Sequence, residues 1–357
     1  MDTKKKIEEL AKNIIEQLVQ QQNPSMTVPI RSLSNVYFDK KSQTLQIHEN
    51  ASTRSFYNVN HVRKFVQTLA VAAGSKKLVE RDITVSIRDL YYNIKRTLPN
   101  TKIDLLDSQT ESDKAIEDLE AITGLPRERL GLIADASGTV SGKVVIEDSG
   151  DTIDWSKLGS GGWAIPSDVE NITFKSVKAK YVIYMEKQAV WHRLHQDRYW
   201  DKHNCIIMAS KGQAPRGVRR LLIRLSEEFK LPIYVLTDFD PWGFYIYSVL
   251  KYGSINLATQ SDTLAVTGAQ FLGITADDIE HYGLKKHFIK FKDVDMQRIG
   301  QLENYDWFKA SKAWQRQFKL MRSYKAKAEI QSLSNRDIQF ITNTYLPEKI
   351  KKQQFVE

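Results

Sequence analysis

Apolar positions near the start recur at helical spacing, with Ile7, Leu10, Ala11, Ile14 and Leu18 on one face of a charged helix. Gln20-Gln21-Gln22-Asn23-Pro24 ends that pattern, since proline cannot continue a helix and nothing in the stretch packs, so residues 1–24 are expected to form an N-terminal arm. Short apolar runs at 36–38 and 44–47, around Asp39-Lys40-Lys41-Ser42-Gln43, predict a hairpin, and helical spacing returns over 62–73. Helical patterns at 87–96 and 113–122 then precede two short apolar stretches, 130–134 and 143–146, joined by Ser137-Gly138-Thr139. Helices followed by a two-stranded ribbon outline a winged helix-turn-helix, a common way to lay a helix along DNA. Residues 25–150 are assigned to that domain. The glycines and polar residues from Asp148 to Gly162 predict a linker over 151–178.

From residue 179 to 357 the period changes. Apolar stretches at 181–185, 205–209, 233–236 and 255–258 alternate with helical patterns from about 190, at 216–229 and at 242–252. That alternation predicts an α/β unit, a parallel sheet flanked by helices on both faces, within a multi-domain α+β chain. Such sheets bind ligands at the carboxyl ends of their strands. The remainder is a basic, aromatic extension with Trp307, Phe308, Trp314, Arg316, Lys319 and Arg322, for which packing and DNA contact are both open.

Composition narrows the function classes. Hydrophobic residues make up 41% of the 357, with 7 Trp and 15 Tyr, which is enough to fill packed cores and argues against disorder. Lys and Arg outnumber Asp and Glu by 52 to 43, and the formal charge of +9 favours a polyanionic partner, although it also suits a merely soluble basic protein. The single cysteine, Cys205, excludes an intramolecular disulfide and a multi-cysteine zinc site, and fits a reducing cytoplasm. No apolar run approaches the ~20 residues needed to span a bilayer, so no membrane partner is expected.

Asp238-Phe239-Asp240 follows the apolar stretch 233–236, and residues two apart in an extended chain face the same side, roughly 7 Å apart. Glu186 ends the stretch 181–185 of the same sheet, so the three acids can meet at one edge. Magnesium prefers a few such oxygens and keeps waters for a phosphate. An isolated Asp-x-Asp is otherwise a turn or a helix cap, and Asp240 before Pro241-Trp242-Gly243 can be cap and metal ligand at once.

In Ser86-Ile87-Arg88-Asp89-Leu90-Tyr91-Tyr92-Asn93-Ile94-Lys95-Arg96 the apolar residues Ile87, Leu90, Tyr91 and Ile94 define an inner face, and Ser86 with Asp89 resembles a capping box. At about 100° per residue Tyr91 falls in the apolar stripe and Tyr92 on the polar side. Arg88 and Arg96, four residues either side of Tyr92, would flank its hydroxyl with guanidinium groups suited to phosphate oxygens. Nearby cations also favour the phenolate that a tyrosine nucleophile needs, since an unperturbed phenol titrates near 10. The alternative is an ordinary surface tyrosine among basic residues.

The pattern 216–229 puts Val218, Leu221, Leu222, Leu225 and Phe229 on one face and Arg219, Arg220 and Arg224 on the other, with Lys211 and Arg216 just before it. A DNA-backbone contact and a solvated face both fit. Gly138-Thr139-Val140-Ser141-Gly142-Lys143 is one residue short of a phosphate loop and continues with Val144 in place of Ser or Thr. His192, His195, His203 and Cys205 match no standard zinc spacing.

Several stretches together resemble the type IIB topoisomerases, the family of the meiotic double-strand-break transesterases and of the archaeal topoisomerase VI A subunit. They include Ser32-Leu33-Ser34-Asn35-Val36, Ser52-Thr53-Arg54-Ser55-Phe56, Ser86 to Tyr92, Gln109-Thr110-Glu111-Ser112-Asp113, Tyr184-Met185-Glu186-Lys187, Ser210-Lys211-Gly212-Gln213 and Asp238 to Gly243, in order over residues 29–345. The resemblance implies a winged-helix domain like that of the catabolite activator, carrying Tyr92 as nucleophile, and a Toprim domain carrying Glu186, Asp238 and Asp240 as magnesium ligands. Arg88 and Glu186 would assist catalysis, and Arg96, Lys211, Arg216, Arg219 and Arg220 would contact DNA. It implies a transient double-strand break through 5′-phosphotyrosyl links, a homodimer, and a B subunit that binds ATP, two A with two B chains, docked at the N-terminal arm. A meiotic-type transesterase would share the residues without that B subunit, and a Toprim nuclease would use the acids without Tyr92.

Overall fold

A computed structural model describes residues 3–356, which divide into two compact units. The first holds the described residues up to Tyr37, Gln46–Asp135 and Ile255–Gln260, and the second holds Phe38–Leu45, Ala136–Ser254 and the residues from Ser261. The division falls between Asp135 and Ala136, ahead of the boundary expected near residue 150. No helix among the described residues is long and apolar enough to cross a membrane.

Helix α1 (Thr3–Val19) opens the first unit, and strand β1 (Ser25–Pro29) follows after the expected break at Pro24. Strands β2 (Val36–Asp39) and β3 (Thr44–Ile47) pair with each other as the hairpin pattern requires, and β4 (Ala51–Ser55) pairs antiparallel with β1. Helices α2 (Val59–Glu80), α3 (Ile87–Ile94) and α4 (Gln109–Thr123) then pack around one core. Val71, Ala72, Leu90, Tyr91, Ile94, Ile116 and Leu119 fill it, with Ile7 of α1 entering from the arm. Asp118 of α4 ties the β1–β4 pair to that core, because Arg31 Nη2 donates to Asp118 Oδ1 at 2.6 Å and Arg54 Nη1 donates to Oδ2. Asp118→Ala would strip both guanidinium groups of the carboxylate they share, and a loss of about 3–5 kcal/mol in chemical denaturation is expected. A loss under about 1 kcal/mol would mean the network is idle.

The expected ribbon of the winged helix is not formed by residues 130–134 and 143–146. Strand β5 (Val85–Ser86) pairs in parallel with β6 (Leu132–Ile133), while β7 (Thr139–Ser141) and β8 (Val144–Asp148) enter separate sheets of the second unit. Residues 151–178 are likewise not a linker. Strands β9 (Asp151–Asp154), β10 (Trp163–Ala164) and β11 (Thr173–Val177) lie there, and β11-β8-β9 form an antiparallel sheet. Buried Trp155 stacks on Trp163 with ring centroids 5.4 Å apart and meets Phe174 edge-on, so three widely spaced aromatics supply a core that a density-based reading overlooks. Gly162 serves this packing rather than flexibility. At φ +63° it faces Thr139 and the Trp191 ring, where a Cβ would come within 2.7 Å of each.

The main sheet runs β10-β7-β13-β12-β14-β15, with β12 (Val182–Met185), β13 (Ile206–Ala209), β14 (Ile233–Leu236) and β15 (Ala269–Phe271) parallel. Every residue of β12 and β13 is buried, as a sheet covered on both faces requires. Helices α5 (Gln188–Gln196), α6 (Tyr199–Lys202), α7 (Arg216–Phe229) and α8 (Pro241–Tyr252) connect these strands. Residues 255–258 are not the next strand. They form a 3-10 turn, Ile255–Gln260, that belongs to the first unit, and β15 takes the edge instead. A four-residue apolar run has no decisive period, which is why the sequence pattern mistakes it. The aromatics of the C-terminal extension are core, since Trp314 and Phe318 are buried and meet Phe244 edge-on, and buried Phe308 meets Trp314 and Phe318 edge-on in turn.

Candidate active site

Helix α3 is short, eight residues, and its start is fixed locally. Ser86 Oγ accepts from the Asp89 amide at 3.0 Å while Asp89 Oδ2 accepts from the Ser86 amide at 3.3 Å, the reciprocal capping expected from the sequence and worth about 1 kcal/mol. Leu90, Tyr91 and Ile94 turn inward, and Tyr91 is 8% exposed. Tyr92 is 60% exposed, so of two adjacent phenols only the second is presented to solvent. Arg88, one turn before it, is also exposed. Arg96 does not stand one turn beyond Tyr92 on the same helix, because α3 ends at Ile94 and Lys95 is already extended, with ψ 120°. Arg96 is exposed on the segment that follows, and its carbonyl accepts from the Leu105 amide.

In the second unit the strand order places β12 between β13 and β14. The chain leaves β12 towards β13 and leaves β14 towards β15, so the connections diverge at the carboxyl ends of β12 and β14. An open α/β sheet has its crevice at such a point. Glu186 follows β12, and Asp238 and Asp240 follow β14, in a register that pairs Met185 with Leu236. Phe239 is buried and exchanges backbone hydrogen bonds of 3.0 Å with Ala328, so the aspartates on either side of it are displayed together. Asp240 also caps α8, its Oδ1 accepting from the Gly243 amide.

Among the described residues no three carboxylate, imidazole or thiol side chains form a preassembled ion-binding group. The three acids do share one electrostatic neighbourhood. Burial, then repulsion by Asp238 and Asp240, raises the Glu186 carboxyl to about 7. Burial, partly offset by the Gly243 amide and reinforced by Asp238, raises Asp240 to about 6. Asp238 is raised by burial against the opposing pull of Lys187. Lys187 Nζ lies 2.5 Å from Asp238 Oδ2, a cation beside the most buried of the three acids. Hard oxygens that repel one another and already draw in an ammonium suit a divalent ion such as magnesium.

The basic residues divide. Lys211 is exposed and Arg216 half-buried, at the loop after β13 and the start of α7. Arg219 and Arg220 do not face outward, being 5% and 8% exposed. Arg219 Nε donates to the Ala214 carbonyl at 2.9 Å, and Arg220 reaches the Ser167 carbonyl and Glu170. Arg224 donates to the Val169 and Ile172 carbonyls, so α7 uses guanidinium groups to satisfy the 167–172 loop. A helical wheel counts every arginine as solvated, and nothing in the sequence marks carbonyls waiting to be capped. Glu329 and Gln331, beside the acids, carry no sequence signal for a related reason: they lie some ninety residues from the Asp-x-Asp on a stretch without a motif.

Residues 63–132 match the family model described as type IIB DNA topoisomerase, 136–178 the all-beta domain in DNA topoisomerase VI alpha subunit, and 181–350 the Toprim domain of topoisomerase 6 A subunits and Spo11. The A subunit of type 2 DNA topoisomerase 6 from Pyrococcus abyssi is 44% identical over 358 residues, covering 98% of this chain and 94% of that protein. The chain belongs to the family of topoisomerase 6 A subunits. The corresponding proteins of Hyperthermus butylicus and Methanocaldococcus jannaschii are each 39% identical, over 97% and 98% of this chain and 94% and 95% of their own. The all-beta match accounts for the strands found where a linker was expected, and the Toprim match covers the whole acid-bearing sheet edge.

Gly243 links the sheet edge to α8. A Cβ there would stand 2.8 Å from the Asp238 carbonyl and 3.1 Å from both Asp240 Oδ1 and Thr237 Oγ1. Gly243→Ala is therefore expected to push the Asp238–Asp240 turn from α8 and weaken the Asp240 cap, costing about 1–3 kcal/mol in thermal or chemical unfolding. An unchanged stability would show that the turn yields freely.

Proposed function

We propose that this chain is the DNA-cleaving subunit of an ATP-dependent type IIB topoisomerase and that Tyr92 is its nucleophile. The observation that carries the reading is the exposure of Tyr92, beside a buried Tyr91, on a capped helix within the stretch matched to type IIB topoisomerases. Tyr92 Oη attacks a DNA phosphorus, the bond from phosphorus to the 3′ oxygen breaks, and the phosphate stays on the enzyme as a 5′-phosphotyrosyl ester. The phenol loses its proton and the departing 3′ oxygen gains one. Ester replaces ester, so the linkage is conserved and the reverse attack reseals the strand.

Arg88, exposed one turn before Tyr92, supplies a guanidinium to the phosphate. Glu186, raised to about 7, is suited to accept or return a proton near neutrality. Glu186, Asp238 and Asp240 would hold magnesium, which when bound supplies positive charge to the phosphate and the leaving oxygen. Arg96, Lys211 and Arg216 remain candidates for the DNA backbone, whereas Arg219 and Arg220 are given up to structure.

One tyrosine per chain cuts one strand, so a double-strand break requires a homodimer, with the tyrosine and acids at each phosphate drawn from different chains. ATP belongs to a separate B subunit in this reading, two A with two B chains, with the arm 1–24 as the B contact and the chromosome-bearing cytoplasm as the compartment. The test is cleavage of end-labelled duplex by the reconstituted complex with magnesium, followed by denaturation and protease digestion. The 5′ ends should carry peptide and the 3′ ends should be free hydroxyls. Free 5′ phosphates would instead mark a nuclease that uses the acids alone.

A further inference from the structure

Both oxygens of Asp238 are already engaged. Oδ1 accepts from the Ile330 amide at 2.9 Å, and Oδ2 lies 2.5 Å from Lys187 Nζ. A cation can therefore reach this acid only by sharing or displacing what holds it. The ammonium of Lys187 has two further partners on one short segment, Gln331 Oε1 at 3.2 Å and Glu329 Oε2 at 3.5 Å. An ammonium has three hydrogens, and three oxygens surround this one. The seat beside Asp238 is thus filled by a cation of the chain's own, with a second seat next to it. Lys187 directly follows Glu186, so its backbone is fixed at the end of β12 while its side chain reaches across to the Asp-x-Asp.

We propose that Lys187 is an exchangeable counter-ion of the acidic edge: without a divalent cation its ammonium neutralises Asp238, and on cation entry it shifts to Glu329 and Gln331. This rests on the reading that Glu186, Asp238 and Asp240 hold a divalent ion. The exchange keeps the buried carboxylate partnered at all times, since an unpaired buried charge is expensive. It also weakens the ion's hold by making it compete. Lys187 is in this account a positioning residue.

Manganese titration of the full-length chain, followed by the electron paramagnetic resonance signal of the free ion, reads the exchange without any DNA cleavage. Lys187→Met removes the competitor and is expected to tighten manganese binding on the order of tenfold. Glu329→Gln alone removes the second seat and should weaken binding several-fold, but its effect should largely vanish in the Lys187→Met background, as coupling through the lysine requires. Thermal unfolding supplies a second readout. The Met variant should melt lower than wild type without metal and gain more from manganese. Lys187→Gln serves if the Met variant does not fold. Equal or weaker manganese binding by the lysine variants, with wild-type binding intact and lost in Asp238→Asn, overturns the exchange alone. Absence of saturable, Asp238-dependent binding in wild type overturns the metal reading and the exchange with it.

Discussion

Tyr92→Phe is expected to leave no protein-linked 5′ ends in the cleavage assay, a loss of roughly 10³-fold or more, because no other atom of the side chain can form the ester. The same substitution should change stability by no more than about 0.5 kcal/mol, since the ring is 60% exposed and only its hydroxyl is removed. DNA binding should be nearly intact. Tyr91 behaves oppositely. Its ring is 8% exposed within the core that holds α3, so Tyr91→Ala should cost about 3 kcal/mol or more. Loss of adduct in Tyr92→Phe with unchanged melting, set against unfolding in Tyr91→Ala, separates a nucleophile from a packing residue. Persistence of the adduct in Tyr92→Phe would move the assignment elsewhere.

Glu186→Gln should stabilise the metal-free chain at alkaline pH and yet lower cleavage by at least about 10²-fold. The sign follows from proton linkage. The unfolded carboxyl releases its proton near 4.5 and the folded one near 7, so between those values the folded state binds more protons and wild-type stability falls as pH rises. Below about 4.5 the acid is protonated in both states and the glutamine should be nearly neutral. Above about 7 the wild type carries a buried charge repelled by Asp238 and Asp240, and the variant should exceed it by on the order of 2–3 kcal/mol. Chemical denaturation across that window, with and without magnesium, reads the difference. A glutamine variant less stable than wild type at about pH 8 without metal would mean that Glu186 is a structural partner, not an acid held in reserve for a cation.

What the sequence disclosed depended on whether periodicity or a local motif carried the information. The start and cap of helix α3, the outward phenol, and the positions of Glu186 and of Asp238 and Asp240 just past their strands each follow from spacing within a dozen residues, whereas the helix stops at Ile94 and leaves Arg96 outside it. Three of the failures have a different origin. Residues 151–178 hold a sheet whose core is Trp155, Trp163 and Phe174, too sparse to register as strands among glycines. Arg220 is charged but spent on a carbonyl and a carboxylate of a loop roughly fifty residues earlier, and buried Arg219 on the Ala214 carbonyl. Glu329 and Gln331 reach the acids only because the Ala328 backbone pairs with Phe239. Packing and hydrogen bonding that the folded chain supplies decide all three, and a one-dimensional pattern does not encode them.

The most direct measurement is mass spectrometry of the peptide left on DNA after cleavage by the reconstituted complex and exhaustive proteolysis. A nucleotide esterified to Tyr92 is the predicted result. A nucleotide on Tyr91 or any other residue, or cleaved 5′ ends carrying no peptide, would contradict it.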